Sequence, residues 1–599
     1  MDEHALRELI QEVKAGRLSR RRFMHTMLGL GLTAPLATQM LGPAGMAQAQ
    51  APAATVTPTR RGGGGQLRTL WWQAPTLLNP HFANGIKDQD AARIFYEPLA
   101  GFDPDGNVVA ILAAEVPSVA AGTLAKDLTW VTWRLKRGVS WHDGKPFTAE
   151  DVVFNWEYVA DPATAAVTSG SYREIARIDT LDSHTVKVVF KTPQPFWSDA
   201  FCGSRGMLIP KHVFAPYKGA KSREAPGNLK AMGTGPYRFV DFKPGDVVKG
   251  QLNPAYHLPN LPFFDTIEMK GGGDAVSAAR AVLQTGEFDY AWNMQVEDEI
   301  LARLEQGGKG RVNIWPTGDP EHIQCNFSDP RTEVDGERAS ARTTHPLLSD
   351  LAVRQALGLL VDRASVQEQI YGRLGQTSAN FLNAPSRFRS PNLKWEFNID
   401  RANQLLDAAG WKRGPDGIRA KDGKKLRMVY QTSINAARQK TQQIVKQAAA
   451  KAGIDLELKS VVASVFFSSD PANPDTFPHF YADLQMYTTA HTAPDPRYFM
   501  NQFCSWEIAS KTNKWQGRNV TRFRSEEYDR AYRAAESELD PVKRAALFVR
   551  MNDIVIQQAA VIPILWRNGV SASATRLKGM DLTGWDSAFW RLAHWYREA

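Results

Sequence analysis

The chain has 599 residues, 43% hydrophobic and 23% charged, which is the balance of an ordinary globular protein and not of a disordered, collagen-like or polytopic membrane chain. At about 100–200 residues per domain, that length means several domains or fewer large ones. Three cysteines exclude a disulfide scaffold, and the formal charge of +9 is spread over the chain without the basic–aromatic stripe that would mark a nucleic-acid binder.

The first fifty residues read as an export address. Arg7, Lys14, Arg17, Arg20, Arg21 and Arg22 outnumber Asp2, Glu3, Glu8 and Glu12. Ser19-Arg20-Arg21-Arg22-Phe23-Met24 resembles the twin-arginine export consensus. The apolar stretch 23–41 is broken by His25, Thr26, Thr33, Pro35, Thr38 and Gln39, so it is a poor spanning helix. Ala47-Gln48-Ala49 offers a small-residue cleavage site, and no cysteine before Cys202 offers a lipid anchor. These features predict a signal peptide over 1–49, passage through the twin-arginine translocase and a periplasmic location. Residues 50–66, with Pro52, Pro58, Arg60, Arg61 and the glycines 62–65, hold too little apolar surface to order themselves and predict a flexible linker.

The body alternates strands and helices. Residues 67–72 read as a first strand, and 127–136 alternates with Val131, Trp133 and Leu135 on one face. Thr148 caps a helix whose first turn carries Glu150 and Asp151, favourable to the dipole, and whose face is Val152, Val153, Trp156 and Val159. A short strand follows at 185–190. Helical spacing recurs at Val353, Ala356, Leu357 and Leu360, and again at Ala402, Leu405, Leu406 and Ala409 before the capping Gly410. Residues 426–432, 437–452 and 455–462 form a strand–helix–strand unit. Asp540-Pro541 opens the last long helix, and 561–565 is a strand. The fold class is mixed α/β, with no repeat of solenoid length.

Motifs for chemistry are missing. There is no phosphate loop, no His-Glu-x-x-His, no Cys-x-x-Cys and no Gly-x-Ser-x-Gly. Gly233-Thr234-Gly235-Pro236 lacks the third glycine of a nucleotide loop, and His142 sits in a turn beside Asp143-Gly144. Cys202, Cys325 and Cys504 are either one disulfide plus an odd thiol or three buried thiols. No cofactor and no catalytic residue is expected.

The run 134–154, with Gly138, Trp141-His142-Asp143-Gly144, Pro146 and Thr148-Ala149-Glu150-Asp151, resembles the signature of the extracellular solute-binding proteins of family 5, the peptide and nickel receptors of ABC importers. Further blocks fall in that family's order: Leu78-Asn79-Pro80-His81, Phe95-Tyr96-Glu97-Pro98-Leu99, Gly233-Thr234-Gly235-Pro236-Tyr237, Asn253-Pro254-Ala255-Tyr256, and Asp350-Leu351-Ala352-Val353-Arg354 with Asp362-Arg363. The resemblance covers 67–599 and implies a bilobed periplasmic binding protein fold (a Venus flytrap) with two hinge strands and an inserted domain. Mapped here, lobe I takes 67–110, 230–335 and 566–599, the insert takes 111–229, and lobe II takes 336–565. The implied partners are a small peptide or peptide-like solute held between the lobes and the permease subunits of an ABC transporter. The receptor is expected to be a monomer and not an enzyme.

The same resemblance places Asn84, Gly85 and Ile86 at the cleft, where backbone groups would meet an extended ligand. It adds His322 and Gln324 at the first crossing between lobes, Tyr487, Thr488, Thr489 and His491 on the second lobe, and Trp292 and Asn293. Peptide-binding members hold the ligand's amino group with an aspartate in that second-lobe segment, yet 488–492 contains no carboxylate. A buried ammonium without one is costly, so the sequence favours a blocked peptide, an opine-like conjugate or a glycoside over a free-amine peptide. The 17 tryptophans leave room for ring stacking. The competing readings are a receptor for an opine, an oligosaccharide or a nickel metallophore, and a periplasmic enzyme exported by the twin-arginine route.

Overall fold

The computed structural model describes residues 58–598; the expected signal peptide and the start of the expected linker lie outside the described residues. The described part of that linker is not a free arm. Gly62 N donates to Pro262 O (2.9 Å), Gly63 N and Gly65 N donate to the two oxygens of Asp265 (2.8 Å each), and Arg61 forks onto the carbonyls of Tyr256 and Leu258. Gly62, Gly63 and Gly65 hold φ values of +74°, +89° and +70°. Glycine enters that region without steric cost, so the run is a turn fitted to its neighbour and the predicted linker is corrected over 58–66.

β1 (Gln66–Trp71) buries Leu67, Thr69 and Trp71 and leads to α1 (Ile86–Arg93). β2 (Trp130–Arg134) turns Val131 and Trp133 inward, the face the alternation gives. α2 (Ala149–Ala160) begins at Thr148, whose N–H donates to the Asp151 carboxylate at 3.0 Å. It buries Val152, Phe154, Tyr158 and Val159, each contributing about 1.5–3 kcal/mol. β3 (Ile175–Asp182) and β4 (Thr185–Phe190) complete a small antiparallel sheet ordered β2-β4-β3. Before the next strands, a Cβ on Gly233 or Gly235 would stand 1.8 or 2.5 Å from Phe95 O, so this glycine pair serves a close backbone crossing. His142 belongs to the same crossing, its Nε2 lying 3.1 Å from Gly235 O.

β5 (Tyr237–Lys243), β6 (Val247–Leu252), β7 (Thr266–Gly271) and β8 (Tyr290–Ala291) precede a 16-residue strand, β9 (Gly310–Cys325). After β10 (Gly375–Thr377) comes the predicted strand–helix–strand unit: β11 (Arg427–Ser433), α3 (Ala436–Lys451) and β12 (Asp455–Val461), with the strands parallel. β13 (Leu484–Thr488) pairs β11 on its other side. α4 (Pro541–Gln557) is capped by Asp540, which accepts from Val542 N at 2.9 Å. β14 (Val561–Ala574) runs for 14 residues, well past the 561–565 that the pattern predicts.

These strands form one sheet ordered β12-β11-β13-β9-β14-β8-β1-β7-β6-β5, with β10 also on β14. β9 and β14 are the antiparallel pair at its centre. Their register slips between Trp315↔Gly569 and Asp319↔Arg567, so residues 316–318 face a single residue, a bulge that bends the ribbon. On one side of the bulge Val570 and Ala572 pack with Leu70, Ala279 and Met294; on the other Ile562, Ile564 and Leu565 pack with Ile323, Leu357 and Met486. The core is therefore divided at this crossing, and the molecule is a bilobed α/β protein joined by two hinge strands. Cys202, Cys325 and Cys504 are buried and unpaired.

Candidate ligand-binding cavity

A cavity of about 220 Å³ lies where the hinge strands cross. β9 supplies Trp315, Thr317 and Asp319, and β14 supplies Arg567 to Val570. The Trp315 indole packs against Gly569, where a Cβ would stand 2.1 Å from it. The bulge keeps Thr317 at the crossing, its hydroxyl donating to Arg567 O at 2.7 Å.

Eight of the eleven predicted residues share this wall: Asn84, Gly85, Ile86, Trp292, Asn293, Tyr487, Thr488 and Thr489. Asn84, Gly85 and Ile86 come from the turn into α1. Asn84 N donates to Ser469 Oγ across the cleft (3.2 Å). Ser469 in turn donates to Asp88 at 2.9 Å, so part of the backbone expected to meet ligand is taken by the opposite lobe. Trp292 stacks on Trp71 at 6.0 Å and 5°. Asn293 takes φ +51°, and its side-chain oxygen accepts from Arg567 at 3.1 Å.

His322, Gln324 and His491 do not line this cavity. His322 and Gln324 share the sheet face of Tyr487 but lie beneath it: His322 is edge-on to Phe381 (5.0 Å) and covered by Tyr487, its cross-strand partner, and Gln324 accepts from Gln485 at 2.9 Å. His491 stacks on Phe499 at 4.6 Å with Trp585 on its edge, and is 1% exposed. Burial pushes both imidazoles down to about 4, so both are neutral packing groups.

The sequence reasoning missed Asp319, Arg205, Arg438, Arg518 and Arg567, all on the wall. Asp319 changes the electrostatics most. It accepts from His491 N at 2.8 Å, so a carboxylate does stand beside the 488–492 segment, brought by the neighbouring strand. Burial pushes its carboxyl up to about 6. Behind the wall Glu321 is fully buried. Burial opposes its charge, but Arg438 Nε at 2.8 Å and the Thr488 hydroxyl hold its carboxyl below the usual range. Phe467, Phe477 and Tyr487 form an aromatic side to the cavity, with Phe477 and Tyr487 centred 5.1 Å apart.

The model for bacterial extracellular solute-binding proteins, family 5 (middle region) matches residues 114–511. The chain belongs to this family. Among its relatives, the oligopeptide-binding protein AppA of Bacillus subtilis is 25% identical over 515 residues, covering 84% of this chain and 87% of that one. The AppA structure in complex with a nonapeptide superposes with a TM-score of 0.77 at 23% identity, over 90% of this chain and 100% of that chain. The glutathione-binding protein GsiB of Escherichia coli strain K12 is 23% identical over 508 residues, covering 84% and 89%. The structure of NikZ from Campylobacter jejuni in complex with Ni(L-His) gives a TM-score of 0.75 at 21% identity, over 89% and 99%. This family 5 protein is thus a solute-binding protein of an extracellular family, and among its described residues no helix is long and apolar enough to cross a membrane.

Proposed function

We propose that this family 5 protein is the periplasmic receptor of an ABC importer, capturing a peptide or peptide-like solute between its lobes and presenting the closed form to the membrane permease. The observation that carries the reading is the cavity at the hinge crossing, walled from both lobes, so that one solute touches both and favours closure. The names of the oligopeptide-binding AppA and the glutathione-binding GsiB support the peptide-like class. Asp319 supplies a partner for a ligand ammonium, so free-amine peptides, disfavoured by 488–492 alone, rejoin the candidates. Aromatic and hydroxyl groups around it suit a wet, permissive pocket.

Delivery to the periplasm rests on the twin-arginine stretch and Ala47-Gln48-Ala49. Amino-terminal sequencing of the mature protein should begin near Gln50. For the ligand, mass spectrometry of what protein from the native periplasm releases on unfolding should show a peptide-like compound. Refolded protein should then be stabilised by it through mass action, by about 2.7 kcal/mol at a hundredfold excess over Kd. A broad peptide panel that shifts neither the melting temperature nor the tryptophan fluorescence of stripped protein would sink the reading.

A further inference from the structure

The lobes meet at a second place besides the hinge strands. One side belongs to the part of the first lobe that carries the small β2-β4-β3 sheet; its Trp133, Tyr172, Trp197 and Ala200 share one core with Leu67 and Trp71 of β1. The other side belongs to a separate second-lobe core that includes Phe499, Met500, Tyr528, Tyr532 and Phe548. The single helical turn Arg497–Met500 brings the second lobe into the contact.

Arg497 is the centre of this contact, and its side chain is 2% exposed. Its Nε and Nη2 donate to one oxygen of Asp199 at 3.3 and 3.1 Å, and Nη2 also donates to Gly170 O at 2.9 Å. The guanidinium lies 3.9 Å from the centre of the Phe196 ring. These three partners all stand on the first-lobe side. On its own side Arg497 reaches Glu536 at 3.3 Å, and its carbonyl accepts from the Tyr532 hydroxyl at 3.1 Å. Its neighbours repeat the crossing: the Tyr498 hydroxyl donates to Val167 O at 3.0 Å, and Glu507 pairs with Arg173. A Cβ on Gly170 would stand 3.0 Å from the Asn501 amide, so the two surfaces are closely fitted. Burial pushes the Asp199 carboxyl up to about 6, with Arg497 as the chief opposing charge. Arg497, Asp199, Arg173 and Glu507 are not among the residues that line the cavity.

We propose that Arg497 is a latch that joins the lobes through Asp199 and Gly170 O and holds a fraction of the receptor closed before any solute enters. The first-lobe segment that the sequence maps as an insert is the keeper of this latch. Opening the cleft breaks the bonds to Asp199, Gly170 O and Val167 O and returns Asp199 to water. The latch bonds touch no solute, so they add to closure whatever the solute is. A solute then supplies only the remainder of the closing free energy, and its apparent affinity rises in proportion to the closed fraction. Arg497 is thus a positioning residue for capture.

The test uses the mature protein, refolded without solute and carrying nitroxide labels on Leu181→Cys in the small sheet and Glu526→Cys in the second lobe. Both positions are open to solvent, at 57% and 94% exposure, and the three native cysteines are buried. Double electron–electron resonance reads the distances between the labels. The parent should show the short distance of this structure. Arg497→Gln should lower the short-to-long ratio by about tenfold or more, because closure then buries the Asp199 carboxylate without its cation. Adding Asp199→Asn should bring the ratio back to within about threefold of the parent. A brace confined to the second lobe through Glu536 would gain nothing from that change on the first lobe. Circular dichroism confirms folding. Should Arg497→Gln not fold, Arg173→Gln at the more exposed pair should move the ratio the same way by about threefold, and an unmoved ratio there refutes the latch. A parent with only the long distance, an Arg497→Gln distribution like the parent's, or a loss that Asp199→Asn does not restore overturns the latch and leaves the receptor reading intact.

Discussion

Glu321 and Arg438 brace the hinge beside the cavity, and Glu321→Gln tests that brace. Both side chains are buried, at 0% and 2% exposure. Oε1 accepts from Arg438 Nε at 2.8 Å and Oε2 from Nη2 at 3.4 Å; Arg438 also donates to Ser433 Oγ (2.8 Å) and Thr488 Oγ1 (3.1 Å). Glutamine keeps the volume and one acceptor oxygen but removes the charge, leaving a buried guanidinium with only neutral partners close to it. Breaking such a pair costs about 3–5 kcal/mol, whereas replacing both members by apolar residues is often close to neutral. Glu321→Gln should therefore lower the stability by about 3–5 kcal/mol at pH 7.5, and adding Arg438→Met should restore most of it. The carboxyl sits below its usual range, so its contribution is present at neutral pH and lost as pH falls through that depressed value. The gap between wild type and Glu321→Gln should accordingly close in acid. Urea unfolding followed by tryptophan fluorescence at several pH values reads all three effects. A loss below about 1 kcal/mol, or a double variant no better than the single one, would refute the reasoning.

Asp90 is buried under Ser587 Oγ (2.5 Å) and Trp71 Nε1 (3.1 Å), and burial pushes its carboxyl from 3.8 up to about 7. The folded state thus binds its proton more tightly, and stability should fall as pH rises through that interval, a slope that Asp90→Asn should remove; proton-linked urea melts check it. Gly569→Ala places a Cβ 2.1 Å from the Trp315 ring, so it should dislodge that indole, change the fluorescence and weaken ligand binding by about tenfold or more. Unchanged fluorescence and affinity would count against this close packing. Cys202, Cys325 and Cys504 are at most 3% exposed, so native protein should resist alkylation and denatured protein should gain three adducts by mass.

Local elements were legible because near neighbours decide them. The Thr148–Asp151 cap, the Val131/Trp133 face, the Asp540-Pro541 helix start and the strand–helix–strand unit all follow from spacing and capping chemistry within a few residues. The ordered motif blocks carried the bilobed fold, and segments such as Asn84, Gly85 and Ile86 fell on the cavity wall because short turns travel with the elements that bear them. Individual side chains were another matter. His322 and Glu321 are adjacent, but the period of two in β9 sends one into packing and the other behind Thr488, and only the register against β13 and β14 says which. The glycines 62–65 have the composition of a linker; a carboxylate two hundred residues away makes them a turn.

The sequence by itself therefore determined the element types, which depend on short-range sterics and periodicity, and its ordered motif blocks carried the resemblance that implied the bilobed architecture. The tertiary structure alone decided which charges line the cavity. Asp319 reaches the His491 amide across 172 residues, and Arg205 and Arg518 meet on Tyr498 from opposite lobes. Coulomb and hydrogen-bond energies act through distances in space, and no spacing along the chain encodes them.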